Sequence, residues 1–162
     1  MNIIATVDKN WGIGVDQKLL VNIPADQRFI REVTQGKVII MGRRAYEALS
    51  TTTMTEKRTI YVLSKNPKYI VKGAEVVRTK EEVMDKIAGC PTEDVFIIGG
   101  ASIYEQFIEY CDCAHITKID FNYHANMFHP NLDESPDWEL VGISDEQTYY
   151  DLEYTFCKYT RK

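Results

Sequence analysis

The chain has 162 residues, 44% of them apolar and 27% charged, a length and balance that fit one domain with its own core and exclude disordered, collagen-like and disulfide-scaffold classes. Its 19 Lys and Arg stand against 24 Asp and Glu, for a net charge of -5. Nucleic acid and anionic membranes are therefore not expected partners, because either would call for a basic excess.

The segment Asn2 to Val7 reads as a buried strand. It has no basic leader before it and is too short for a signal peptide. Asp8 to Asn22, with Gly12 and Gly14 and no clear period, reads as a long loop, and a loop of that length in a compact domain is more often functional than idle. Pro24 opens a helix to about Gln35, stopped by Gly36. Lys37 to Met41 is a strand, Gly42 breaks it, and Arg43 to Leu49 is helical. Strands follow at Thr59 to Leu63 and Ala74 to Val77, then a helix from Glu81 to Ala88 with Gly89 as its stop. Val95 to Ile98 is a strand, Gly99-Gly100 a tight break, Ser102 to Tyr110 a helix and Ala114 to Ile119 a strand. Trp138 to Ile143 and Tyr154 to Tyr159 form an antiparallel pair. Strands alternating with helices predict an α/β sheet layered by helices. No run approaches the ~20 apolar residues of a membrane span.

The four cysteines, Cys90, Cys111, Cys113 and Cys157, read as reduced thiols of a cytoplasmic protein. A strand through Cys111-Asp-Cys113-Ala-His115 would put three potential ligands on one face. The spacing is not C-x-x-C and no second ligand pair stands out, so no metal is expected.

Asp26 is out of pattern. On the helix from Pro24 the apolar positions are Ala25, Phe29, Ile30 and Val33, and Asp26, three and four residues before Phe29 and Ile30, shares their face. Two readings stand side by side: a first-turn carboxylate favoured by the helix dipole, or an acid held in an apolar pocket to bind a polar ring. A second feature is strand, glycine, helix, in Lys37-Val-Ile-Ile-Met-Gly-Arg-Arg-Ala-Tyr-Glu47 and again in Asp94-Val-Phe-Ile-Ile-Gly-Gly-Ala-Ser-Ile-Tyr104. Glycine admits a ligand close to the backbone, and ligands of open α/β sheets collect at these strand ends. Arg43-Arg44 after one break and Ser64-Lys65 after a third strand suit phosphate. Neither break is G-x-G-x-x-G, so the Rossmann fingerprint is absent.

Ile23-Pro-Ala-Asp26, Ile40-Met-Gly-Arg43 with Tyr46-Glu47, Arg58 followed by Val62-Leu-Ser64, Ile97-Ile-Gly-Gly100 with Ile103-Tyr-Glu-Gln-Phe107, and Thr117-Lys-Ile-Asp120 together resemble the dihydrofolate reductase family, in order and spacing from Ile3 to Tyr159. The resemblance implies a single domain over residues 1–162 with a central eight-stranded, mostly parallel mixed sheet flanked by four helices. It implies reduction of 7,8-dihydrofolate to tetrahydrofolate by NADPH, in a monomer that antifolates would bind. Asp26 then resembles the family's ionisable active-site residue. Ile4, Ala5, Phe29, Ile30 and Leu49 resemble pocket wall, Arg58 the arginine for the substrate's α-carboxylate, and Thr117 the hydroxyl linked to acid and pterin. For the cofactor, the resemblance points to Thr6, Ile13, Gly14 and Gly42, to Arg43, Arg44, Leu63, Ser64 and Lys65 at the phosphates, and to Ile98, Gly99, Gly100, Ala101, Ser102, Ile103 and Tyr104.

Four places depart from the family pattern. Leu20-Val21 replaces a proline and tryptophan, Ala45 a phosphate-binding threonine, Thr6 a small apolar residue, and Asn126-Met127 an Asp-Thr pair that pins the loop of residues 9 to 22. Two other readings remain open on the residues: another NADPH-dependent pterin or pyrimidine reductase of the same fold, and a non-catalytic nucleotide-binding protein.

Overall fold

The computed structural model describes residues 1–16, 18–49 and 56–162. Its main sheet is built from β1 (Asn2–Val7), β4 (Val38–Gly42), β5 (Thr59–Leu63), β6 (Glu75–Val77), β7 (Val95–Gly99), β8 (Cys113–Ile119), β10 (Trp138–Ile143) and β12 (Leu152–Arg161). These eight run in the order β10-β12-β8-β1-β7-β4-β5-β6, and the short β11 (Gln147–Tyr149) pairs beside β12. From β8 to β6 every neighbour pair is parallel; β12 is antiparallel to both β8 and β10. The mixed, mostly parallel sheet expected from the sequence is present, with β11 as an unforeseen addition.

Side-chain alternation along the strands builds two apolar layers. Ile3, Ile40, Ile97 and Ile116 pack with Val83, Ile87, Tyr104 and Phe107, from α3 (Lys80–Ile87) and α4 (Ala101–Phe107). Ile4, Ile39, Ile60 and Ile98 pack with Ile30 and Tyr46, from α1 (Pro24–Thr34) and α2 (Arg43–Leu49). Consecutive strand residues such as Ile3 and Ile4 thus face opposite helix pairs, and continuous apolar runs are what a sheet covered on both sides requires. At α3, the Thr79 hydroxyl accepts from the Glu82 N–H at 3.1 Å, while the Glu82 carboxylate accepts from the Arg78 N–H at 2.9 Å. The pair resembles a capping box in which the Glu82 bond reaches one residue past the N-cap Thr79, to the end of β6.

Three expectations need correction. Residues 8 to 22 are not an unpaired loop: β2 (Gly12–Val15) pairs with β3 (Lys18–Leu19) and with β9 (Met127–Phe128) in a second, three-stranded sheet. Strands this short carry no readable alternation, and one partner lies far along the chain. The turn before them is organised by the buried Asp8 carboxylate, which accepts from the N–H groups of Asn10, Gly12 and Tyr123. The helix after Gly100 ends at Phe107 and tightens to a 3-10 turn over Ile108–Tyr110. Cys111 precedes β8, so only Cys113 and His115 share a strand face; the buried Cys111 thiol donates to the Phe107 carbonyl. All four cysteines are free, and among the described residues no cluster of His, Cys, Asp and Glu could hold a metal ion. Nor, among them, is any helix long and apolar enough to cross a membrane.

His129, just after β9, is 2% exposed, with its ring against Trp11 and edge-on to Tyr104 at 4.5 Å. Its Nδ1 lies 2.7 Å from the Pro130 carbonyl, which can only accept, so Nδ1 carries the proton and the buried Nε2 has no partner. Burial holds its pKa down at about 4, against 6.5 for an ordinary histidine. Unfolded chain therefore takes up a proton near pH 6.5 that folded chain refuses until about pH 4. The stabilising effect is complete above pH 6.5 and drains away as pH falls toward 4. In urea titrations across that window, His129→Phe should flatten the acid-side loss of stability by about 3 kcal/mol. Parallel pH curves for parent and variant would contradict the neutral, buried imidazole.

Candidate active site

The cleft begins where two central strands part. β1 and β7 are in register at Asn2↔Phe96 and Ile3↔Ile97. Beyond that point the Tyr104 hydroxyl stands between them, 2.6 Å from the Ile4 carbonyl and 2.9 Å from the Ile98 carbonyl, sharing its proton between the two. Past it a cleft of about 640 Å³ opens at the carboxyl ends of the parallel strands. That is where the topology of an open α/β sheet places a ligand.

Asp26 lines one end of the cleft and is 3% exposed. Pro24 starts α1 so that the third residue of its first turn, Asp26, points inward, onto β1 and β8. Thr117 Oγ1 donates to Asp26 Oδ1 at 2.7 Å, and Thr6 Oγ1 donates to Oδ2. Burial pushes the carboxyl above the ordinary carboxylate range, while the two hydroxyl bonds pull it back. Of the two readings left open for this acid, the apolar-pocket one matches its buried position; the dipole accounts for the residue type but not for the face it occupies.

The other end of the cleft is cationic. Arg43 and Arg44 follow Gly42 at the end of β4, and Ser64 and Lys65 follow β5. Arg78, Thr79 and Lys80 join them at the end of β6. Arg78 folds the Ser64–Pro67 turn onto this edge by donating to the carbonyls of Ser64, Asn66 and Pro67. These three residues escaped the sequence reading, although a cation beside a Ser/Thr-x-x-Glu helix start was a usable signal. Between the two ends, two glycines let side chains of α4 pack tightly against the strand ends. A Cβ on Gly42 would meet Ile103 at 3.3 Å, and one on Gly99, whose φ is +111°, would press on the Tyr104 ring at 3.1 Å. The Gly99–Gly100 peptide is cis.

Most residues singled out from the sequence do meet here. Ile4, Ala5, Thr6, Ile13, Gly14, Asp26 and Ile30 line the cleft, as do Gly42, Arg43, Arg44, Leu63, Ser64, Lys65, Ile98 and the run Gly100 to Tyr104. Phe29 and Thr117 line an adjoining cavity of about 140 Å³ with His115 and Phe156, and Thr117 reaches the main cleft only through Asp26. Arg58 is not on the cleft wall: its Nε donates to Thr34 Oγ1 at 3.0 Å and its Nη2 to the Arg31 carbonyl at 2.5 Å, at the far end of α1. The Leu49 side chain falls outside the described residues. Asn126, one of the departures from the family pattern, donates from Nδ2 to Asp16 Oδ1 and accepts the Asp16 N–H on Oδ1, both at 3.0 Å. It thereby fastens the hairpin of β2 and β3 at the cleft mouth.

The family model for dihydrofolate reductase matches residues 1–161. The chain belongs to the dihydrofolate reductase family. It is 32% identical to the dihydrofolate reductase of Bacillus subtilis (strain 168), over 100% of this chain and 95% of the relative. Identity to the Neisseria gonorrhoeae dihydrofolate reductase is also 32%, over 100% of this chain and 98% of that one. Among solved structures, dihydrofolate reductase from Enterococcus faecalis complexed with NADP(H) and RAB-propyl superposes with a TM-score of 0.81 at 26% identity, covering 99% of this chain and 95% of that one.

The Tyr104 bridge is open to test. Tyr104→Phe keeps the ring but leaves two buried carbonyls without a donor, which should cost about 1–3 kcal/mol in urea unfolding. A change below about 0.5 kcal/mol would mean that the hydroxyl does not join the strands.

Proposed function

We infer that the chain reduces 7,8-dihydrofolate to 5,6,7,8-tetrahydrofolate with NADPH, acting as a single monomeric unit over residues 1–162, in the cytoplasm and as a target of antifolates. The observation that carries this reading is a buried acid at one end of a cleft whose other end is cationic, in a chain that matches the dihydrofolate reductase family along its whole length. The family match favours this over another pterin or pyrimidine reductase, or a non-catalytic nucleotide binder.

The donors present fit the cofactor. Arg43, Arg44, Ser64 and Lys65 offer charge-assisted bonds to adenosine phosphates, including the 2′-phosphate. Gly100, where an added Cβ would meet nothing nearer than Met127 at 4.0 Å, leaves room on the cleft wall for close approach to the backbone. NADPH, when bound, supplies the hydride. The protein's share is orientation and electrostatics. Asp26 accepts hydrogen bonds from the pterin ring and biases its protonation, with water delivering the proton to N5. Ile4, Ala5 and Ile30 supply apolar wall. Arg58, its guanidinium aimed by Thr34 and the Arg31 carbonyl, takes the α-carboxylate of the substrate's glutamate tail.

The direct test follows NADPH absorbance with and without dihydrofolate. Absorbance should fall only when dihydrofolate is present, and Asp26→Asn should slow hydride transfer at least ~100-fold near neutral pH. Absence of any dihydrofolate-dependent loss in the parent protein would reject the reading.

Cofactor choice gives a separate expectation. Replacing Arg43 and Arg44 by alanine should weaken NADPH binding far more than NADH binding in fluorescence titrations, because only NADPH carries the extra phosphate. Equal losses would make the two arginines mere surface charge.

A further inference from the structure

Thr6 has a part in the site that its position on a strand does not announce. In the β1·β8 register Thr6 lies opposite Thr117. Side chains at matched positions of paired strands point to the same side, here the α1 side that Ile4 also faces. Each threonine hydroxyl takes one oxygen of the single carboxylate that α1 lowers onto the pair: Thr117 bonds Oδ1 and Thr6 bonds Oδ2. Thr117 is 3% exposed and off the main cleft, whereas Thr6 is half-buried and on the cleft wall. A carboxylate has about four lone-pair positions. The two hydroxyls fill one on each oxygen and leave one on each for a ligand.

Other groups facing Asp26 do little to hold its charge. Tyr104 from α4 and Tyr154 from β12 are phenols whose own ionisation Asp26 opposes. Among the described residues no cation acts on the carboxyl: burial works against its charge, and Thr6 and Thr117 work for it.

We propose that Thr6 is a positioning residue for the acid, fixing the plane of the Asp26 carboxylate toward the cleft and stabilising its charged form through a hydroxyl bond to Oδ2. The role as pterin acid rests on the function inferred above; the clamp itself does not. The hydroxyl has one hydrogen. With Asp26 ionised, that hydrogen is given to Oδ2. When Oδ2 gains a proton, the bond reverses, Oδ2 donates to Oγ1, and the hydroxyl hydrogen turns away from the acid. Thr6 therefore presents a different face to the cleft in each protonation state of Asp26.

The test compares Thr6→Val, which keeps shape and removes the donor, with Thr6→Ser, which keeps the donor. The Asp26 carboxyl is followed by carbon NMR in ligand-free protein and assigned by its loss in Asp26→Asn. Thr6→Val should raise the titration midpoint by about one to two pH units, the range expected on losing a hydrogen bond to a charged group. Thr6→Ser should titrate like the parent, and Thr6→Ala carries the same comparison if valine does not fold. In turnover, the pH profile of hydride transfer should move with the NMR midpoint. A midpoint that moves in protein without dihydrofolate-dependent NADPH oxidation would support the clamp and reject the assigned reaction. A midpoint unmoved by Thr6→Val or Thr6→Ala, in protein that turns over, would overturn the clamp and leave the reaction standing.

Discussion

The site depends on the parting of β1 from β7. A parallel sheet that stayed paired to its strand ends would have no room in its middle for a ligand. Here the pairing ends at Ile3 and Ile97, and one phenol hydroxyl satisfies the two carbonyls exposed by the split. An opening in a buried sheet is costly because it strands polar backbone in a dry place. Tyr104 removes that cost without refilling the gap. It can do so because α4 starts directly after the glycine pair and sets Tyr104 in its first turn, while His129 braces the ring edge-on.

What the opening separates is as important as its size. At one end a carboxylate sits almost dry, held by two neutral hydroxyls. At the other, five basic side chains from three successive strand ends share a wet rim. The first arrangement suits a ligand that must be held in a fixed plane, because a buried acid makes few, directional bonds. The second suits groups whose charge matters more than their exact orientation. The hairpin of β2 and β3, tied to Asn126 and Met127, adds its own wall to the same cleft.

Much of this was legible in the sequence because it follows from local rules. Apolar runs bounded by glycine located the parallel strands, and Asp26 gave itself away by lying on the apolar face of its helix. Arg43, Arg44, Ser64 and Lys65 were visible as polar residues just past strand ends. The rest depends on register and distance. Thr6 could be seen as an oddity, but its bond to Asp26 exists only because β1 and β8 are aligned to the residue. The second sheet joins Gly12 and Gly14 to Phe128 and Met127 across more than 100 positions, through strands too short to show a period. Arg58 carries no mark in the sequence of its attachment to the end of α1, since one partner there is a backbone carbonyl, which has no residue-type signature, and the other, Thr34, lies 24 positions away.

The net charge of -5 belongs to the molecule as a whole, but an approaching solute meets something different at the cleft. Arg43, Arg44, Lys65, Arg78 and Lys80 line a concave rim over an apolar floor, with Glu81 as their acidic neighbour. Low-dielectric walls focus the field of such a cluster outward, so a polyanion is repelled by most of the surface and drawn toward one opening. This steering acts over roughly a Debye length, about 8 Å at physiological ionic strength. Added salt should therefore slow the capture of a phosphorylated ligand more than it hastens its escape.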